Sequence, residues 1–144
     1  MALAYVRQNG INSGSAGTSV NFTLDCTGGD LVIVGAGDRG LPTSATLNGV
    51  AMTPVTNGVS NGAANAKQFY MANPPTGVQT IVVNYGSSVF MAAEASLWSG
   101  FSNGVIVPVS SQSGSSTSVT SSSILSSSNA FVVDFVSHGS TLTV

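Results

Sequence analysis

An apolar run, Leu31-Val32-Ile33-Val34, leads straight into Gly35-Ala36-Gly37-Asp38-Arg39-Gly40, which spells the G-x-G-x-x-G pattern of dinucleotide-binding folds. The residues after the third glycine decide the fold class. The pattern binds a pyrophosphate only when a helix begins there, because helix N-terminal N–H groups and their dipole hold the phosphates. Leu41-Pro42-Thr43-Ser44-Ala45-Thr46-Leu47-Asn48-Gly49 instead carries a proline, two threonines and an Asn-Gly turn signal, and reads as loop and hairpin. The acidic residue that would hold the ribose, expected roughly 20 residues on, is missing as well, since no Asp or Glu occurs between Asp38 and Glu94. The stretch therefore predicts a buried strand ending in a glycine-rich turn, with no nicotinamide or flavin cofactor.

The rest of the chain repeats this strand-and-turn pattern. Thr18 to Cys26 alternates, with Val20, Phe22, Leu24 and Cys26 on one side and Asn21, Thr23 and Asp25 on the other, as a half-buried strand does. Asn48-Gly49 predicts a type I′ turn joining Ala45–Leu47 to Val50–Thr53. Lys67 to Ala72 reads as a strand, Asn73-Pro74-Pro75-Thr76-Gly77 as a turn. Val78–Tyr85 and Phe90–Trp98 read as two strands joined by Gly86-Ser87-Ser88. Met91-Ala92-Ala93-Glu94-Ala95 has high helix propensity, yet its flanks, Val89-Phe90 and Ser99-Gly100, favour a strand. Val105–Val109 is expected at a sheet edge, because Pro108 has no N–H for a ladder. Ser110–Ser128 is serine-rich, and a further strand is expected over Ala130–Ser137. Ser13–Val20 leading to Asp30–Val34 is echoed by Ser113–Val119 leading to Ala130–Val133, a weak internal repeat of one strand-turn-strand unit. About ten short strands in one domain over residues 1–144 predict an all-β, antiparallel β-sandwich, immunoglobulin-like or jelly-roll-like. Residues 1–9 are expected as an N-terminal arm or edge strand, ahead of a flexible Asn9–Gly17 stretch.

Only 6% of residues are charged against 42% hydrophobic, and the polar remainder is mostly Ser, Thr, Asn and Gly. Small soluble domains commonly carry about 25–35% charged residues on their surface. The outside of this one must be hydroxyl and amide, or be covered by partners. Arg7, Arg39 and Lys67 lie far apart, so a nucleic-acid footprint is not expected. No apolar run approaches the ~20 residues of a membrane-spanning helix, and a membrane partner is not expected either. Cys26 stands alone, which excludes an intrachain disulfide or a cysteine zinc site. Met1–Arg7 lacks a basic segment before an apolar core, so a secretory signal is not expected, and synthesis in a cytoplasm is.

The segments Gly29–Val34, Leu47–Thr53, Phe69–Pro74, Gly77–Val83 and Leu97–Gly100 together resemble immunoglobulin-like or jelly-roll β-sandwich modules of bacteriophage virion proteins and bacterial surface proteins. The resemblance covers about the first hundred residues and rests on apolar patterning and turns. It implies a structural or adhesive role and supplies no catalytic residue. An antibody-type frame is missing, since Trp98 has no paired cysteines around it.

Three patterns suggest chemistry and are set aside. Gly100-Phe101-Ser102-Asn103-Gly104 matches the nucleophile elbow G-x-S-x-G, with Asp134 and His138 coming later in hydrolase order. The elbow requires a helix after its serine, whereas Val105-Ile106-Val107-Pro108 comes next, and Asp134 and His138 on one strand stand about 13 Å apart. Asp25, Asp30 and Asp38 flank glycine turns without the spacing of a calcium loop, and capping those turns is the expected role. Asn21-Phe22-Thr23 fits a glycosylation sequon but lies within a strand.

No catalytic, cofactor or metal residue is therefore expected, and the chain is not expected to be an enzyme. The sequence favours a virion structural protein, most specifically a capsid decoration (cement) subunit of a phage head. It would be made in the host cytoplasm, form a homo-oligomer with a trimer first in line, and contact the major capsid protein or other virion proteins. Subunit contacts are expected at Leu3, Tyr5, Val6, Val132, Asp134, Val136 and His138. One alternative is a receptor-binding or fibre module of a phage tail or cell surface. Another is a carbohydrate-binding domain in which Trp98, Tyr5, Tyr70 and Tyr85 stack on sugars.

Overall fold

The structure, a computed structural model, describes residues 3–55, 58–60, 64–101, 106 and 133. Among them are ten strands and no helix: β1 (Ala4–Asn12), β2 (Gly17–Asp25), β3 (Leu31–Asp38), β4 (Pro42–Leu47), β5 (Val50–Ala51), β6 (Thr53–Pro54), β7 (Val59–Ser60), β8 (Asn65–Ala72), β9 (Val78–Val89) and β10 (Met91–Ser99). Six form the larger sheet, ordered β1-β10-β3-β8-β6 with β7 also on β8, and four form the smaller, ordered β2-β9-β4-β5. Every pairing is antiparallel.

Four of the eight pairings nest one inside the next. β1 pairs with β10, β2 with β9, β3 with β8 and β4 with β5, and successive pairs alternate between the sheets. The chain is thus one long hairpin rolled over on itself, the winding of a jelly roll. An immunoglobulin-like sandwich would set its first two strands side by side in one sheet, whereas β1 and β2 lie in opposite sheets.

Period-two alternation builds the core between the sheets. Val20, Phe22 and Leu24 of β2 and Ile81, Val83 and Tyr85 of β9 meet Val32, Val34 and Ala36 of β3 and Met91, Ala93, Ala95 and Leu97 of β10. The alanine-rich segment of β10 is a strand because packing outweighs intrinsic propensity: every second residue is buried against the smaller sheet. The Asn48-Gly49 turn is present, with φ of 49° and 80°, the positive pair of a type I′ turn.

Several boundaries differ from the sequence reading, each for a physical reason. Gly35 and Gly37 are not in a turn, since β3 runs on to Asp38 against β8 and β10. A Cβ at Gly37 would lie 1.8 Å from the Asn65 carbonyl oxygen, so glycine is there to admit a neighbouring backbone. Pro42 opens β4 instead of sitting in a loop, at the first strand position where a proline is tolerated. Gly86-Ser87-Ser88 is likewise not a hairpin turn: β9 continues to Val89, and the chain crosses at Phe90 into the other sheet. Asn9–Asn12 is strand, and only residues 13–16 separate β1 from β2. The expected strands Val105–Val109 and Ala130–Ser137, the serine-rich stretch and the second half of the internal repeat lie outside the described residues, apart from Ile106 and Val133.

Candidate interaction surface

The outward side of the larger sheet carries most of the described outward-facing aromatic residues. Residues opposite the core side chains fall into four rows across β1, β10, β3 and β8: Tyr5-Trp98-Leu31-Ala72, Gln8-Ser96-Ile33-Tyr70, Gly10-Glu94-Gly35-Gln68 and Asn12-Ala92-Gly37-Ala66. The first row is apolar and aromatic, and the second sets Gln8 and Ser96 beside Ile33 and Tyr70. The third alternates glycine with Glu94 and Gln68, and the last is small residues beyond Asn12.

Leu31 (2% exposed) and Trp98 (9%) are buried without belonging to the core between the sheets. Tyr5 packs its ring against Trp98 at a centroid distance of 5.5 Å and an interplanar angle of 75°, edge to face, while remaining 52% exposed. The Trp98 indole N–H donates to Ser96 Oγ at 2.8 Å. On the third row the Gln68 amide donates to the Val133 carbonyl at 3.5 Å, so the chain returns to this face at that residue.

Of the expected contact residues, Tyr5 lies on this face, Val6 turns inward to pack against the core, and Leu3 is half-buried. The structure therefore separates Tyr5 and Val6, neighbours in sequence, across a β-bulge between Tyr5 and Arg7. Val132, Asp134, Val136 and His138 lie outside the described residues, as does Ser102 of the elbow pattern. The four aromatics proposed for sugar stacking part company: Tyr5, Trp98 and Tyr70 share the outward face, whereas Tyr85 is in the core.

Most of the few described charges have partners within the chain. Arg7 pairs with Asp25 and also donates to the Thr27 carbonyl at 3.3 Å. Thr27 N–H and hydroxyl, and then Arg7, hold the Asp25 carboxyl below its ordinary value. The Asp30 carboxylate accepts the N–H groups of Gly100 at 3.1 Å and Phe101 at 3.0 Å. Asp38 closes β3 at φ 90°, and its carbonyl accepts the Asn65 side-chain amide at 2.9 Å. The three aspartates thus serve turns and strand ends. Arg39 lies over the Phe90 ring at 5.1 Å and Lys67 over Phe69 at 5.3 Å. Burial, with the Asp25 charge second, pushes the Cys26 thiol up, which disfavours the reactive thiolate. Among the described residues no three His, Cys, Asp or Glu side chains group as metal ligands.

The outward side of the smaller sheet is uncharged over most of its extent. Its rows read Ser19-Asn84-Ser44, Asn21-Val82-Thr46-Ala51 and Thr23-Thr80, with Asp25-Val78 at one end. Asn84 donates to Ser44 Oγ at 3.1 Å across this face.

Sequence reasoning did not single out Gln8, Glu94 or Gln68, which the register brings into adjacent rows. One signal for the larger sheet's covered outer face was present. Leu97 and Trp98 are consecutive large apolar residues, and in a strand consecutive residues point to opposite sides, so burying both requires cover on each face. Comparison with protein-family models, curated proteins and solved structures finds no match to the chain.

Proposed function

We propose that the chain is a structural subunit of a virion, most specifically a decoration subunit that stabilises a phage head through contacts between subunits. One observation carries this reading: the described charges other than Glu94 are drawn into pairs, turns and ring contacts, and the smaller sheet's outward face is uncharged and mostly hydroxyl and amide over most of its extent. Such a face gives copies little mutual repulsion and suits close packing in an array. The jelly-roll winding, used by capsid and lectin domains alike, is compatible with it. The subunit would act as a homo-oligomer, with a trimer the first symmetry to test, seated on the major capsid protein after synthesis in the host cytoplasm. Cosedimentation of the purified protein with capsid shells stripped of accessory proteins tests it. Saturable binding with a gain in shell resistance to heat is the expected result, and no binding at high micromolar protein overturns it.

A glycan-binding or receptor-binding module is the second reading, favoured by Tyr5 and Tyr70 sharing one face with Gln8, Ser96 and Glu94. Against it, Trp98 keeps only 9% of its surface exposed and offers little open ring for stacking. Binding to a glycan array that Tyr5→Ala abolishes would favour this reading over the first.

A further inference from the structure

We propose that β1 is the edge at which two copies of this chain join. Its free side would pair antiparallel with β1 of the second copy about a two-fold axis, so that the two larger sheets run on as one. This contact rests on the assembly reading and shares its premise that copies cover one another's uncharged surface.

The sandwich has four sheet edges among the described residues, and they are guarded unequally. β5, β6 and β7 on one flank have two residues each, and Pro54 in β6 has no N–H to offer. Short strands and proline are the ordinary means of blunting an edge. On the other flank β2 has nine residues, but side chains of β1 reach across it: Asn9 Nδ2 donates to the Thr23 carbonyl at 2.7 Å, and Arg7 holds Asp25 and the Thr27 carbonyl. β1 is different. It also has nine residues, seven of them exposed, and contains neither proline nor lysine.

β1 is bonded on one side to β10. At its middle, Gly10 N–H donates at 2.9 Å to the Asn9 side-chain oxygen, an exposed local bond that an incoming carbonyl would replace. The bulge between Tyr5 and Arg7 confines a regular added ladder to Arg7–Asn12. Two identical strands meeting antiparallel are self-complementary unless like charges oppose each other. The sole charge on β1, Arg7, is committed to Asp25 of the smaller sheet. Of the five large apolar side chains left exposed among the described residues, Ile11 lies within this ladder and Tyr5 just beyond its end. These features favour a second copy over a charged foreign strand. The contact is two-fold and separate from any three-fold contact.

The experiment is hydrogen exchange of the full chain, read by mass spectrometry over a concentration series, alongside sedimentation. The expected result is a dimer at high micromolar concentration, with protection rising in Arg7–Asn12 and unchanged in β5 and β6. Gln8→Lys should weaken the dimer by about tenfold by placing on the joining edge the lysine that ordinarily blunts one, and Val50→Lys on the opposite flank should leave it intact. A monomer whose β1 amides stay unprotected overturns the proposal, as does a dimer that Gln8→Lys does not weaken. Should protection of β1 appear only when capsid shells are added, the edge takes a strand of the shell and self-pairing is wrong. A β1 dimer that ignores shells supports the contact while removing the decoration role.

Discussion

The Tyr85 hydroxyl, on β9 of the smaller sheet, donates to the Gly37 carbonyl on β3 of the larger sheet at 3.1 Å, with the Ala92 carbonyl of β10 at 3.3 Å. One side chain thus pins the two layers together at the Asp38 end of β3, where the chain backbone, and no side chain, is the partner. The arrangement needs the proton: burial first, and then the Asp38 charge, push the Tyr85 hydroxyl up to about 12.

Removing that hydroxyl leaves a buried carbonyl short of a donor. Tyr85→Phe should cost about 1–2 kcal/mol in denaturant unfolding, with the slope unchanged. The pH dependence has a definite sign. An unfolded tyrosine ionises near 10, so between about 10 and about 12 the folded state holds more protons than the unfolded state, and stability falls as pH rises through that window. Wild-type protein should show the fall, and Tyr85→Phe should show a shallower one.

Glycines 37 and 86 make a matched test of why the strands carry glycine. A Cβ on Gly37 would meet the Asn65 carbonyl oxygen at 1.8 Å and its carbon at 2.8 Å, so β8 would have to move. Gly37→Ala should cost about 3 kcal/mol or fail to fold. A Cβ on Gly86 would sit 3.6 Å from Thr43 Cγ2, an ordinary contact. Gly86→Ala should stay within about 0.5 kcal/mol of wild type. Equal effects in the two variants would mean that backbone approach is not what Gly37 provides.

These two glycines also show where the sequence stopped being readable. The alternation over Thr18–Cys26 was enough for β2, and Asn48-Gly49 for its turn, because both signals are local. Gly35-Ala36-Gly37 and Gly86-Ser87-Ser88 carry the composition of turns but continue strands. For Gly37 the reason lies in a partner strand dozens of residues away, at Asn65, and nothing local encodes that approach. The jelly-roll winding is illegible for the same reason, since it depends on which strand pairs across the roll. The outward face of the larger sheet was half legible. Tyr5 and Trp98 stood out as aromatics, whereas their adjacency comes from the β1–β10 register and its bulge.

The Asp25 carboxyl supplies a second pH-dependent contribution, of opposite sign. Its folded-state value is depressed below the ordinary 3.8, by the Thr27 N–H first, its hydroxyl next and Arg7 last. A depressed carboxyl stabilises the fold above its unfolded value, and that contribution is lost as pH falls below about 4 through the folded value. Asp25→Asn should flatten the acid limb of the stability curve and leave stability above pH 5 less sensitive to salt than in wild type. An unchanged acid limb in Asp25→Asn would show that Arg7 and Thr27 do not hold this carboxylate.

Asp30 offers the clearest separation of a structural carboxylate from a functional one. It stands just before β3, and its two oxygens take the N–H groups of Gly100 and Phe101 where the chain leaves β10. Its own backbone joins the same junction: Asp30 N–H donates to the Trp98 carbonyl at 2.8 Å, and its carbonyl accepts Asn73 N–H at 2.7 Å. The side chain therefore ties the end of one strand to the start of its sheet neighbour. Asp30→Ala strands two N–H groups that only partly reach water and should cost about 2 kcal/mol. Asp30→Asn keeps one acceptor oxygen and should cost about half as much, because the charge assistance and one bond are lost. Hydrogen exchange at Gly100 and Phe101 should quicken in both variants, more in the alanine. If Asp30→Ala left exchange at these two amides unchanged while abolishing binding to any partner, the carboxylate would be a contact residue and the junction would be held by its backbone bonds alone.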